Sequence, residues 1–334
     1  MAKRPIDMQR ESAVGMTIVD ESDDSPISQV LSLPDELLLI KGRGIWRFQL
    51  ADDIDPDRTN PKVPNAQQKL LGRGAADELV CRTLLQAHLL LSTGFSRTES
   101  LYGAALASTF DFLRDLDALQ NGIDDLREKL SSAERDFDSN KLKTGLQLPA
   151  LRDVAARGKG LKQALDHLVR KLWVFVRAFR PELPPGVSWS KFREQAMARG
   201  QTEASLASLV LKLQEGFSSI RNSRNAIEHP RPGHEVILHD YRLKPDGLVH
   251  RPTIEVIHSE TPVDESELLM FAESMSKYIL EAYELLLVHL CGLHAKSRGV
   301  FELRIAMLPA ERRSNVHVKF SFFTKLHEQW VPLG

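Results

Sequence analysis

A chain of 334 residues has room for one large or two modest domains, at roughly 100–200 residues per domain. Hydrophobic residues make up 42% and charged residues 27%, ordinary values for a soluble globular protein with a real core. The formal net charge of -1 excludes a global basic field, so a nucleic-acid partner would need a local patch. Cys81 and Cys291 alone make no disulfide framework, fit a reducing, cytoplasmic compartment and read as small core residues. No apolar run follows Lys3-Arg4, so no signal peptide is expected. The most apolar segment, Tyr278 to Leu293, carries Glu281, Glu284 and His289 and reads as a core helix rather than a membrane span.

Residues 1–30 are polar and acidic around Asp20-Glu21-Ser22-Asp23-Asp24 and read as a flexible tail. Residues 31–64 are expected to form a β-hairpin and linker. Leu37 to Ile40 and Ile45 to Phe48 flank a turn at Lys41-Gly42-Arg43-Gly44, and Pro56, Pro61 and Pro64 mark the linker. From about Asn65 the pattern turns helical. Leu79, Leu84, Leu85 and Leu89 form one amphipathic stretch. Phe112, Leu116, Leu119, Ile123, Leu126 and Leu130 then form the packing seam of a long helix. The segment 131–143 is highly charged and expected at the surface. A helix over about 159–179 ends at Arg180-Pro181, with Trp173, Phe175 and Phe179 read as core rather than a base-stacking platform. A short helix near 189–199 ends at Gly200.

The helix expected over about 202–228 carries apolar residues at Leu206, Val210, Leu213, Phe217 and Ile220, in steps of four and three. The next step of four lands on Arg224. An arginine on the inward stripe is costly unless it is paired or faces a wet groove. His229 follows five residues later and precedes Pro230, which disfavours the α region at His229 and should stop the helix there. A histidine at a helix C-terminus sits near partial negative charge, which favours its protonated form. A permanent cation thus lies about a turn and a half from a group able to titrate near neutrality. Phosphodiester cleavage needs both functions.

A polar hairpin insertion is expected over 235–257, turning at Pro245-Asp246-Gly247. Asp264 then reads as the cap of the last long helix, with Glu267 three residues on. Two strand-like runs, 301–307 and 316–323, give a C-terminal strand pair within 297–334. The histidines His234, His239, His250 and His258 lack the spacing of known zinc sites, and they read as a wet strand face rather than a metal site. No Gly-rich phosphate loop and no Ser-His-Asp arrangement is visible.

The segment Arg224-Asn225-Ala226-Ile227-Glu228-His229 resembles the signature of the HEPN superfamily: an Arg, a polar residue after it, and a His four to six residues on. The resemblance spans roughly residues 65–296. It implies a mainly α, HEPN-like helical bundle with a β-hairpin insertion, and small β elements at both termini would lie outside it. It further implies a metal-independent RNA endonuclease of toxin or antiviral-defence type, without cofactor. His229 would act as general base on a ribose 2′-OH, Arg224 would stabilise the phosphorane, and Asn225 would orient the histidine or the phosphate. Cleavage would leave a 2′,3′-cyclic phosphate. Arg221 and Glu228 would line the RNA path. One His cannot easily serve as base and acid at once, so a homodimer with a composite site is expected, and a regulatory partner protein fits this class. Two alternatives stand beside this. HEPN domains also serve as non-catalytic modules binding RNA, a nucleotide or a protein. In a purely structural reading Arg224 pairs with Glu228 one turn on, and His229 merely ends the helix.

Overall fold

The computed structural model describes residues 4–11, 20, 22–92, 99–139, 146–185, 188–295 and 302–333. Helix outweighs strand, at about 53% to 20%. The mainly α class is thus as expected. The long seam helix is α5 (Glu99–Ser139), after α1 (Pro5–Glu11), α2 (Ala51–Ile54), α3 (Glu78–Val80) and α4 (Gln86–Ser92). It is followed by α6 (Val154–Phe179), α7 (Trp189–Ala198), α8 (Ala204–Glu228) and α9 (Leu268–His294). Helices α5, α6, α8 and α9 pack on one another as a bundle, with α7 laid along α8.

The seam on α5 behaves as its spacing requires. Phe112, Leu116, Leu119, Ile123, Leu126 and Leu130 are all buried, each contributing about 1.5–3 kcal/mol by leaving water. Tyr283 of α9 stacks on Phe112 at 4.8 Å between ring centroids, and its hydroxyl hydrogen-bonds that of Thr109 at 2.8 Å. Two glycines let the elements approach closely. A Cβ on Gly216 would stand 2.3 Å from the Tyr278 hydroxyl, which donates to the Leu213 carbonyl; a Cβ on Gly158 would stand 2.4 Å from Leu238.

The strands form three antiparallel sheets and a short hairpin. The first sheet runs in order β1 (Gln29–Ser32), β2 (Leu37–Lys41), β3 (Gly44–Gln49) and β4 (Ala66–Leu71). The second orders β5 (Glu235–His239), β8 (Thr253–Ile257) and β9 (Val263–Glu267), with the hairpin β6 (Arg242–Leu243) and β7 (Val249–His250) between β5 and β8. The third holds β10 (Leu303–Met307), β11 (Phe320–Leu326) and β12 (Gln329–Pro332). Gln86 ties this third sheet to the helices. Its side chain donates to the Phe320 carbonyl and accepts from the Lys319 and Phe320 amides, all at 2.8 Å.

Several expectations are corrected. The N-terminal segment is no loose tail where it is described: Arg10 of α1 pairs with Asp52 at 2.7 Å and Asp55 at 3.0 Å, and Asp23 accepts the Arg43 amide at 2.8 Å. Residues 66–71, read as the start of the helical region, add a strand to the open edge of β3; a bare ladder edge outweighs their weak helical pattern. The helix starts later, where the Asp77 carboxylate caps it by accepting the Leu79 amide at 2.8 Å. It contains a π segment at Cys81–Leu85 before α4. Asp264 does not cap the last helix. It lies in β9, which pairs with β8, and α9 begins four residues later at Leu268. The C-terminal strand pair is a three-stranded sheet, since 329–332 also pairs. Phe301 and the upper part of the charged run 131–143 fall outside the described residues.

Candidate active site at the end of α8

Helix α8 ends where Pro230 requires. His229 leaves the α region at φ −134° and ψ 64°, and its amide still donates to the Asn225 carbonyl at 2.8 Å. The buried stripe runs through Leu206, Val210, Leu213, Phe217 and Ile220 as spaced, but then turns to Ser223 and Ala226. Arg224 is left at the border of the stripe, its side chain 29% exposed. The expected fully inward arginine is therefore half-buried, because small residues take the inner positions in the last two turns.

Two carboxylates meet the guanidinium. Its Nη2 lies 2.7 Å from Glu228 Oε2 on the same helix, and its Nε lies 4.0 Å from Asp166 Oδ2 on α6. Its Nη1 donates to Asn225 Oδ1 at 3.2 Å. Asn225 thus aims its carbonyl oxygen at the arginine. Asp166 is buried and also holds Arg170 at 2.6 Å. Glu228 accepts from the Gln163 amide at 3.0 Å. That hydrogen bond, then the Arg224, His229 and Lys159 charges, holds the Glu228 carboxyl below its ordinary value.

His229 and Asn225 are exposed, as is Arg221, and the His229 ring makes no hydrogen bond among the described residues. Arg221 is likewise without a hydrogen bond or ion pair there. A paired cation, an open imidazole and an unpaired cation therefore lie along the last three turns of one helix. Such a set can bind a phosphate and move a proton beside it.

The second sheet closes on the same helix end. Asn222 Nδ2 donates to Thr261 Oγ1 at 3.2 Å, in the turn that leads to β9. His258 Nδ1 accepts the Glu260 amide at 3.1 Å and the Thr261 amide at 3.3 Å. His234 crosses His258 edge to face, 4.4 Å between centroids. Burial, then the Arg231 and His258 charges, holds the His234 imidazole below its ordinary value. Residue spacing along the strands could not pair these two rings; the register of β5 on β8 does. No group of three or more His, Cys, Asp or Glu side chains among the described residues is arranged to hold a metal ion.

Sequence reasoning did not find Asp166 or Gln163. Both sit on α6, about sixty residues before the motif, and nothing local marks them. The architecture defines a mainly α protein with three small antiparallel sheets, a main hydrophobic core and a small second cluster at Leu39 and Phe48 in the first sheet. No family model, no curated protein and no solved structure matches this chain. No helix among the described residues is long and apolar enough to cross a membrane.

Proposed function

We propose that this chain is a HEPN-type RNA endonuclease that works without metal or cofactor, with Arg224, Asn225 and His229 as its catalytic group. The observation that carries the reading is the placement of Arg224. A charge-paired guanidinium remains partly open to solvent about a turn and a half from an uncovered histidine, at the end of a bundle helix.

In this reading His229 takes the proton of a ribose 2′-OH. The 2′ oxygen attacks the neighbouring phosphorus, and the bond to the 5′ oxygen breaks. Arg224 and Arg221 bear the charge on the non-bridging oxygens. The departing 5′ oxygen takes its proton from a second imidazole, supplied by the other copy of His229 in a homodimer. The products are a 2′,3′-cyclic phosphate and a 5′-hydroxyl. A cellular toxin or antiviral-defence role, a cytoplasmic setting and control by a partner protein belong to the same proposal.

Purified protein is expected to cut RNA in EDTA and to leave cyclic-phosphate ends. His229→Ala should lower cleavage by about 100–10,000-fold, the usual worth of a general base, without moving the melting temperature. Equal cutting by the variant would sink the assignment. One observation favours a second reading, in which the same face binds RNA, a nucleotide or a protein without cleaving. The Glu228 and Asp166 carboxylates already offset the Arg224 charge. Under that reading Arg224→Ala weakens binding, and no cyclic-phosphate product ever forms.

A further inference from the structure

Charge is unevenly placed along the chain. Residues 296–334 hold seven Lys and Arg against three Asp and Glu, a surplus of four positive charges. The whole chain nets -1, so residues 1–295 net -5. The catalytic group belongs to that negative part, and Glu228 and Asp166 already offset its Arg224. A polyanion needs a further cationic patch to hold it.

The third sheet supplies one. Side chains alternate between the faces of a strand, and residues in register share a face. Arg304 is in register with Phe323, and Phe323 with Pro332; Lys325 is in register with Trp330. Arg304, Lys325 and Trp330 therefore lie on one face. The opposite face turns Ile305, Phe320 and Phe322 to the hydrophobic core. Arg304 reaches across β11, and its guanidinium carbon stands 4.1 Å from the Trp330 ring centroid. This contact holds the guanidinium over the ring without using its N–H donors. Arg304 and Lys325 are exposed, and neither has a hydrogen bond or an ion pair among the described residues. Glu302 and Glu328, the acids nearest in sequence, pair with neither.

We propose that this outer face of the third sheet docks the sugar–phosphate backbone of an RNA strand, with phosphates at Arg304 and Lys325. The proposal rests on the RNA reading above. Charge decides the occupant: two free cations, in the part of the chain that carries the positive surplus, suit a polyanion. A planar guanidinium also matches the two free oxygens of a phosphodiester with a fork of N–H donors. Trp330 is a rest for Arg304 and not a platform for a base, because the guanidinium covers its ring. Contacts of this kind hold backbone and carry no sequence preference. The surface is separate from the chemistry. Tyr278 of α9 meets Leu213, and Thr261, before α9, meets Asn222, so the end of α8 lies beside the start of α9 at Leu268. Phe322 of the sheet lies by Cys291, near the other end of α9. From Leu268 to Cys291, at 1.5 Å per residue, the two levels stand about 35 Å apart along the helix. Loss of the surface therefore weakens capture of RNA and leaves the rate on bound RNA unchanged.

The test uses the full chain carrying His229→Ala, so that binding is read without cleavage. A fluorescein-labelled single-stranded RNA of roughly 20 nucleotides is titrated by anisotropy at salt from about 50 to 200 mM. Each phosphate contact on a single strand contributes about 0.7 to the slope of log affinity against log salt. Arg304→Gln combined with Lys325→Gln should weaken binding at least about fivefold at the low-salt end and reduce that slope by about 1.4, the share of two contacts. Both side chains are exposed, so the melting temperature should stay in place. Arg43→Gln is the control. It removes another exposed, unpaired arginine, at the turn between β2 and β3, and should change neither affinity nor slope. An unchanged slope in the double variant overturns the surface, and so does an equal loss in Arg43→Gln. Polyglutamate that displaces the RNA as readily as unlabelled RNA does also overturns it, and makes the face a dock for an acidic peptide. With His229 restored, the double variant should raise KM about fivefold and keep kcat; a fall in kcat instead overturns the separation from the chemistry. Wild-type protein that cuts RNA while the double variant binds as tightly keeps the nuclease and loses the surface. Protein whose binding needs both cations but which never cuts does the reverse. Binding of no RNA overturns both.

Discussion

Arg82 and Arg224 are two helical arginines that each meet two carboxylates, in opposite surroundings. Arg82 lies in the π segment before α4, pairs with Glu78 at 2.8 Å and with Glu284 of α9, and is only 7% exposed. Arg224 meets Glu228 and Asp166 but keeps 29% of its side chain in solvent. The first pair joins two helices inside the core. The second holds a cation steady at a surface where something else can reach it. Pairing is common to both; what differs is access to solvent.

The largest expected effect breaks the sealed pair. Arg82→Ala leaves Glu284, itself buried, without its counter-charge, and should cost about 3–5 kcal/mol in a denaturant titration. Arg224→Ala at the open pair should lower RNA cleavage by about 100–1,000-fold. Its cost in the same titration should stay within about 1 kcal/mol, the range of partly exposed pairs. If Arg224→Ala destabilises the fold as much as Arg82→Ala does, the contrast collapses and Arg224 is a brace too.

Lys162 sharpens the comparison from the other side. It lies on α6 one turn before Asp166, 1% exposed, with its ammonium 4.0 Å from the Phe271 ring centroid and no carboxylate partner among the described residues. Burial pushes its pKa down from 10.5 to about 7. The sign follows directly. The folded state binds the proton more weakly than the unfolded state, so the cost of burying Lys162 is full below pH 7. It fades as pH rises from about 7 towards 10.5. Lys162→Met should therefore stabilise the fold by roughly 1–4 kcal/mol near pH 6. The gain should shrink steadily towards pH 10. A gain independent of pH would mean that the amine is solvated in the folded protein.

The smallest expected effect lies at Tyr278, whose hydroxyl reaches the Leu213 carbonyl over the notch at Gly216. Tyr278→Phe should cost about 0.5–1.5 kcal/mol, the net worth of one hydrogen bond. It should leave cleavage unchanged, because the contact is three turns from Arg224. A loss of cleavage would tie the middle of α8 to the chemistry at its end.

Local rules carried much of this protein. The spacing of Phe112 to Leu130 announced the seam of α5, and the steps from Leu206 to Ile220 announced the buried face of α8. Pro230 announced where that helix stops and left His229 at its end. These features were legible because a helix face depends on the period of its own residues, and a stop depends on one neighbour. Partner choice was not legible. Residues 66–71 became a strand because β3 offered an open edge, and Asp264 lost its capping role because β8 offered another. Asp166 beside Arg224 and His258 against His234 join residues distant in the chain. Such contacts arise only when elements with separately determined faces are packed together, because burial and ladder pairing act between segments and leave no periodic trace within either one.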